Sequence, residues 1–369
     1  LPQGKEAMTT ITAARAYLID IPVETPRTDA VQAFLKQETI FVHLSTEDGL
    51  EGVGYSYTIG TGGTAVLSLL RDYLLEMVIG MDSDRIEHIW RSAYYGTRAT
   101  TTGAITSLAV AAIDTALWDI RGKRTGMPLW KMVGGASDRV PLYDTEGGWL
   151  HISTEELVRG AIDSQKKGWP GVKLKIGKPD ISEDVERLRA VREAVGASMD
   201  IMVDANQSMT LAQARRRVDA LHEVGLYWLE EPMPADDVSA HRLLAQSTTV
   251  PIAVGESLYS AQAFQQYLHH DAAGIIQVDV ARVGGITPWI KVAHLADTYN
   301  VTVCPHFLME LHVSLAAGIP NGNYVEHIPQ LTAVTTQRMT IENGWAIAPS
   351  TPGLGIPWDF DAVERLVVG

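Results

Sequence analysis

The chain shows two regimes of hydrophobic and polar spacing. Before Gly135, β-rich runs come first. Ile11–Ile21 and Thr39–Ser45 alternate apolar with polar residues or are rich in β-formers, and the turn signal Glu47-Asp48-Gly49 follows the second. Helical spacing then takes over at Val66–Val78 and across Ala104–Gly126. Strands followed by a run of helices predict an α+β module over residues 8–135. Leu1–Ala7, ahead of Met8, are read as additions before a native start and are left out of the fold reading.

From Val140 onward, short β-rich runs alternate with amphipathic helices. Strand candidates lie at Val140–Tyr143, Gly171–Ile176, Asp200–Asp204, Leu226–Glu230, Ile252–Gly255, Gly274–Asp279, Val301–Cys304 and Tyr324–Glu326. Long helical patterns such as Ile181–Val195 and Leu211–Val224 lie between most of them. Such alternation calls for parallel strands joined by crossover helices. Eight strands predict a modified (β/α)8 TIM-type barrel over residues 136–344, of the (β/α)7β kind, with a helix missing between the last two strands. A doubly wound sheet alternates in the same way, but no Gly-rich phosphate fingerprint follows the first strand. The tail, residues 345–369, is rich in Pro and Gly before a short helix and is expected to pack back on the first module. The fold class is therefore α/β: a barrel with an N-terminal α+β capping domain completed by the tail.

Composition narrows the function classes. Hydrophobic residues at 46% and charged residues at 20% fit a soluble globular chain with a large core rather than a disordered one. A net charge of −14 argues against nucleic acid as a partner, since an acidic surface repels phosphates. Ala104–Ile120, the most apolar stretch, is broken by Asp114 and too short for a bilayer, so a buried helix is expected and no membrane partner. Leu1–Thr10 lacks the apolar core of a signal peptide. The single cysteine, Cys304, allows no intrachain disulfide, which suits a reducing cytoplasm.

Carboxylates mark the predicted strand ends. Asp204 closes Ile201-Met202-Val203, Glu230 closes Tyr227-Trp228-Leu229, and Glu256 follows Ile252-Ala253-Val254-Gly255, at intervals of 26 residues. That is about one βα unit each, and on a barrel the C-terminal ends of successive strands open on one mouth. Three carboxylates meeting there repel unless a cation neutralises them. An oxygen-only donor set selects a hard ion, and Mg²⁺ keeps positions open for water or substrate. Any one of these acids could equally cap the following helix or form a salt bridge; their common register is what points to a metal.

One strand earlier, Lys173 and Lys175 stand two apart in Val172-Lys173-Leu174-Lys175-Ile176 and so share a face. Two ammonium groups on an inner face are costly unless they reach a polar cavity. Positive crowding there would lower a lysine pKa toward that of a working base. On its own, Lys-X-Lys is a common surface pattern. Asp279 ends Ile275-Ile276-Gln277-Val278, and His306 ends Val301–Pro305, 27 residues later, so their strands should be neighbours. A buried carboxylate fixes the tautomer of an adjacent imidazole and raises its basicity. The alternative is a structural histidine with its bonds satisfied. Glu326 ends Tyr324-Val325, and a protonated or hydrogen-bonded Glu there would hold a substrate oxygen. Lys175 and His306 would then flank the metal on opposite sides, which suits proton abstraction followed by proton delivery.

These residues, in this order, resemble the mandelate racemase subgroup of the enolase superfamily over nearly the whole chain. The resemblance rests on Ala112-Ile113-Asp114-Thr115-Ala116-Leu117-Trp118-Asp119, Lys173-Leu174-Lys175, Val203-Asp204-Ala205-Asn206, Glu230-Glu231-Pro232, Gly255-Glu256 and Gly284-Gly285-Ile286-Thr287. Within the subgroup, Pro305–His312 and Thr28-Asp29-Ala30 look like galactarate/talarate dehydratases. The loop Tyr55-Ser56-Tyr57 with Gly60–Gly63, and Pro128–Met132, also look like cycloisomerases of sugar-acid lactones and anhydrosugar acids. The resemblance implies one Mg²⁺ per subunit on Asp204, Glu230 and Glu256. It implies Lys175 as the base on one face, with Lys173 neutralising the substrate carboxylate. His306, oriented by Asp279, is the acid/base on the other face, and Glu326 hydrogen-bonds the carboxylate as the enediolate forms. Asn206 is expected to touch the substrate, with Asp29 and Tyr55 on polar, Gly-rich capping segments that close the mouth as a mobile lid.

The implied partner is a small carboxylic acid, and the implied assembly a homo-oligomer, dimer or octamer. The implied reaction is Mg-dependent removal of the proton α to a carboxylate. Dehydration of an acid sugar, such as the hexarates galactarate and talarate, to a 2-keto-3-deoxy acid is the favoured outcome. Opening of a lactone or anhydro ring, racemisation or epimerisation of a 2-hydroxy acid, and a non-catalytic binding module on the same fold are the alternatives. The last predicts decay of the base set, yet Lys175, His306 and Asp279 are intact.

Overall fold

The computed structural model describes residues 9–23, 25–100 and 103–369; the additions expected at Leu1–Ala7 lie outside the described residues. Strands β1 (Ile11–Ile21), β2 (Gln37–Thr46) and β3 (Glu51–Thr58) form an antiparallel meander. The Glu47–Gly49 turn joins the last two, with Thr46 N–H donating to Leu50 O at 2.9 Å. Helices α1 (Gly63–Leu69, extended by a π turn at Leu70–Leu74 to Val78), α2 (Ile86–Gly96) and α3 (Ala104–Thr125) follow.

Strand β3 corrects the sequence reading, which made Tyr55-Ser56-Tyr57 a loop. Gly52 and Gly54 are loop signals in the sequence, but here they let the strand lie directly on α3. A Cβ on Gly54 would meet Ala112 O, Ala116 N and the Thr115 hydroxyl. Tyr55 N–H completes the contact by donating to Thr115 Oγ1 at 3.1 Å. Gly54→Ala is expected to cost about 2–3 kcal/mol by forcing strand and helix apart, read as a lower urea midpoint at unchanged m-value.

The barrel strands are β4 (Arg139–Asp144), β5 (Gly171–Lys175), β6 (Asp200–Asp204), β7 (Trp228–Glu230), β8 (Ile252–Val254), β9 (Ile275–Ile276), β10 (Thr302–Val303) and β11 (Val325–His327). Neighbours from β4 to β10 pair in parallel, β11 pairs in parallel with β4, and a Val303–Gly322 bridge closes the ring. Between them run α4 (Thr154–Lys166), α5 (Ile181–Val195), α6 (Leu211–Ala220), α7 (Val238–Ala245), α8 (Ala261–His269), α9 (Ile286–Thr298) and α10 (Met309–Gly318). Capping boxes of Ser153 with Glu156 and Thr210 with Gln213 start α4 and α6.

Helix α10 corrects a second expectation, since it occupies the connection read as lacking a helix. It is buried on nearly every side, so its sequence carries no amphipathic period. The helix absent from the eightfold pattern is the one after β11, where a 3₁₀ turn at Thr332–Val334 leads toward the tail. Among the described residues, no helix is long and apolar enough to cross a membrane.

The barrel floor is one apolar cluster of Tyr143, Met202, Trp228, Ala253, Ile275, Cys304 and Tyr324. The lone cysteine is therefore a packing residue. The cap docks on the barrel through α3: Thr287 N–H donates to Asp114 Oδ2 at 2.9 Å, and the Trp118 indole donates to Thr287 Oγ1 at 3.0 Å. Burial pushes the Asp114 carboxyl up to about 7. The tail returns to the cap, where Leu354 N–H donates to Asp119 Oδ1 at 3.0 Å and Leu18 N–H to Gly369 O at 2.9 Å.

Candidate active site

Parallel register sets Lys175, Asp204 and Glu230 side by side at the ends of β5, β6 and β7, and Glu256 follows β8. Asp204, Glu230 and Glu256 each offer a carboxylate oxygen, all within 4.8 Å of one another. An all-oxygen, anionic and largely buried donor set fits a hard divalent ion. Burial and then the charge of Asp204 push Glu230 up to about 7, against the opposing pull of Lys173.

The two lysines project into this group. Lys173 Nζ lies 2.9 Å from Glu230 Oε1 and 2.9 Å from Glu326 Oε1; Lys175 Nζ lies 2.5 Å from Asp204 Oδ2. Positive crowding was expected to lower the Lys175 pKa. Burial and then Lys173 do act in that direction, but Asp204, Glu256 and Glu230 together outweigh them and the ammonium is held above its ordinary value. Glu326 takes the hydrogen-bonded rather than the protonated of its two expected forms. Its burial is outweighed by Lys173 and His306, which hold it well below the usual carboxylate range. Its oxygens accept from Thr145 Oγ1 at 2.8 Å and Phe307 N–H at 3.0 Å.

At the far end of the carboxylate row, His306 Nε2 lies 3.3 Å from Glu256 Oε2, and Nδ1 lies 3.0 Å from Asp279 Oδ2. Although burial opposes charge on the ring, Glu256 and then Asp279 raise the His306 pKa. Asp279 is buried, yet the His306 bond and charge lower it to about 2. Lys175 and His306 thus attach to opposite ends of the row, at Asp204 and Glu256. They line one cavity together with Asp29, Asn206, Glu256 and Glu326. A behind-the-scenes histidine, His312, is neutral by contrast: burial lowers it to about 4, and its ring ties Val280 N–H (3.1 Å) to Phe307 O (2.9 Å).

The cap closes the mouth. Asp29 Oδ1 accepts from Val31 and Gln32 N–H at 2.7 and 2.8 Å, shaping a turn over Lys175. Arg27 pins this segment to Glu146 at 2.5 Å. The cavity holds ≈ 20 Å³, and a vestibule of ≈ 350 Å³ adjoins it past Asn206, Tyr57 and Arg282. Tyr55, expected at the substrate, instead packs edge-on against Trp358 with ring centroids 5.3 Å apart, and it does not line the cavity. Tyr57, two residues on, does line it. The sequence reading also missed Arg282, Trp149, Phe307 and Thr145. Only Phe307 had a local signal, its place beside His306.

A (β/α)7β barrel under an α+β cap, with acids in register on three successive strands, is an enolase-type architecture. Residues 156–362 match the family model described as enolase C-terminal domain-like, and residues 8–134 match that of the mandelate racemase / muconate lactonizing enzyme N-terminal domain. The chain belongs to the mandelate racemase / muconate lactonizing enzyme family of the enolase superfamily. It is 34% identical to L-talarate/galactarate dehydratase of Salmonella typhimurium, over 91% of this chain and 85% of that protein. It is 35% identical to 3,6-anhydro-alpha-L-galactonate cycloisomerase of Streptomyces coelicolor, over 97% of this chain and 100% of that protein. The Salmonella dehydratase, solved with Mg and L-lyxarohydroxamate, superposes with a TM-score of 0.95 at 32% identity, covering 100% of this chain and 95% of that one.

Proposed function

We propose that the chain binds one Mg²⁺ on Asp204, Glu230 and Glu256, removes the proton α to the carboxylate of an acid sugar and expels the β-hydroxyl to give a 2-keto-3-deoxy acid. The observation that carries this reading is the placement of Lys175 and the His306–Asp279 pair at opposite ends of one carboxylate row in one cavity. The Salmonella dehydratase supports an open-chain hexarate as substrate.

The metal, when bound, supplies Lewis-acid stabilisation of the enediolate oxygens. Lys173, held charged by Glu230 and Glu326, neutralises the substrate carboxylate. Asp204, Glu230 and Glu256 would hold the metal, and with their charge so engaged, burial and Lys173, which both act against the ammonium, would favour Lys175 as a neutral amine able to act as base. The α-carbon loses its proton to one carrier, and the C–H electron pair becomes the enediolate. As that charge returns, the β-carbon–oxygen bond breaks and the other carrier protonates the departing hydroxyl, so that water leaves. The enol that remains tautomerises to the keto acid. Glu326, charged and fully bonded, serves here by orienting Lys173.

Incubation of a panel of acid sugars with enzyme and Mg²⁺, assayed for 2-keto acid, tests this. Keto acid is expected from an open-chain hexarate. No keto acid and no solvent deuterium uptake from any acid sugar would sink the reading. A second reading, ring opening of an anhydrosugar acid, is favoured by one observation. Among the described residues lining cavity and vestibule, the cations are Lys175, Arg282 and His306, each already beside an acid. None stands free for the second carboxylate of a hexarate, and a mono-acid has no second carboxylate to bind. Product from ring-closed substrates alone would decide for it.

A further inference from the structure

We infer that Tyr57, contributed by the capping domain, positions the His306–Asp279 pair, so that the proton carrier on that face is set by the docked cap. The inference rests on the proton-abstraction reading above. Two donors converge on one Asp279 oxygen: the Tyr57 hydroxyl reaches Oδ2 at 2.7 Å, and His306 Nδ1 lies 3.0 Å from the same atom. The other oxygen is fixed by backbone, accepting from Ala281 N–H at 2.8 Å and Arg282 N–H at 3.0 Å. Those two bonds anchor Oδ1, so the swing of the carboxylate about it is limited at Oδ2, where Tyr57 is the partner from outside the barrel.

The direction of the Tyr57 bond is itself determined. Arg282 Nε donates to the Tyr57 oxygen at 3.0 Å, and the same guanidinium donates from Nη1 to Glu256 O at 2.9 Å. The phenol therefore accepts from Arg282 and commits its own proton to Asp279. Its ring is buried, with its centroid 4.6 Å from that of Phe307, whose ring in turn stacks on His306. Tyr57 thus holds the pair twice, through the carboxylate and through the aromatic stack. Lys175 has a separate set of neighbours, Asp204 and the face of Trp149, and no bond to this network. Loss of the hydroxyl should consequently act on one face of the substrate.

Tyr57→Phe removes that oxygen and keeps the ring. The test uses the Mg²⁺-loaded enzyme in D₂O with two acid sugars epimeric at the α-carbon, following loss of the α-proton by ¹H NMR. The epimer whose exchange disappears in His306→Asn reports the histidine face. In Tyr57→Phe the ratio of histidine-face to lysine-face exchange is expected to fall about tenfold or more. Because the ratio is internal to each sample, it does not depend on the folded fraction, and a merely structural role would slow both faces alike. A ratio within about twofold of wild type, read against that tenfold expectation, overturns the inference alone. Wild-type enzyme that exchanges neither epimer overturns the proton-abstraction reading, and the inference with it.

Discussion

Lys175→Ala is expected to abolish α-proton exchange on one face of the substrate and to slow turnover by about 10³-fold, within the range for loss of a positioned acid or base. The side chain is almost wholly buried, and its ammonium lies 2.5 Å from Asp204 Oδ2. Among the described residues no other amine stands ready to replace it, because Lys173 is committed to Glu230 and Glu326. The metal ligands stay in place: Asp204 Oδ1 still accepts from Asn206 N–H at 2.9 Å. Mg²⁺ affinity should hold or rise, since a cation that competes for Asp204 has gone. His306→Asn should produce the mirror result, silencing the other face only. Rapid-quench turnover and NMR exchange, run beside Mg²⁺ titration by calorimetry, check both halves. Full turnover in both variants would show that neither side chain carries the proton.

Removal of divalent cations should take activity below about one-hundredth, because two lysines alone cannot stabilise an enediolate beside three acids. It should also lower stability. A ligand at a hundredfold its Kd adds about 2.7 kcal/mol, which for a chain of this size is worth about 3–4 °C in Tm. The affinity should depend on pH in a defined direction. Proton and metal compete for the oxygens of Glu230, whose carboxyl is pushed up to about 7 by burial and by Asp204. Above that value Glu230 is already ionised and gives up no proton of its own when the metal binds. Below it, binding must release a proton, so affinity weakens as pH falls through about 7. Calorimetry in two buffers of different ionisation enthalpy would reveal the proton release at pH 6. Equal affinity at pH 6 and pH 8 would rule this linkage out.

Much of the site was legible because the βα repeat is a property of chain length. Asp204, Glu230 and Glu256 fall 26 residues apart, and Asp279 and His306 fall 27 apart, so each group converges once the strands close into a ring. Charge states were not legible. Lys175 is raised rather than lowered, and of the two forms open to Glu326, protonated or hydrogen-bonded, Lys173 and His306 select the second by holding the carboxyl low. Each outcome turns on a partner on another strand at a distance that spacing along the chain does not contain. Tyr55 and Tyr57 make the same point. They share one face of β3, but the second lies about 7 Å farther along the strand, and that reach separates a packing residue from one bonded to Asp279.

The amino-acid order by itself determined the barrel, its cap and the row of acids with a lysine before it and a histidine after it, because periodicity and repeat length are written in one dimension. The closed packing of cap on barrel decided which tyrosine reaches the acid/base pair, that α10 exists where no amphipathic period announced it, and which buried groups carry charge. Those outcomes depend on angstrom-scale distances between segments far apart in the chain, and such distances exist only once the chain has folded.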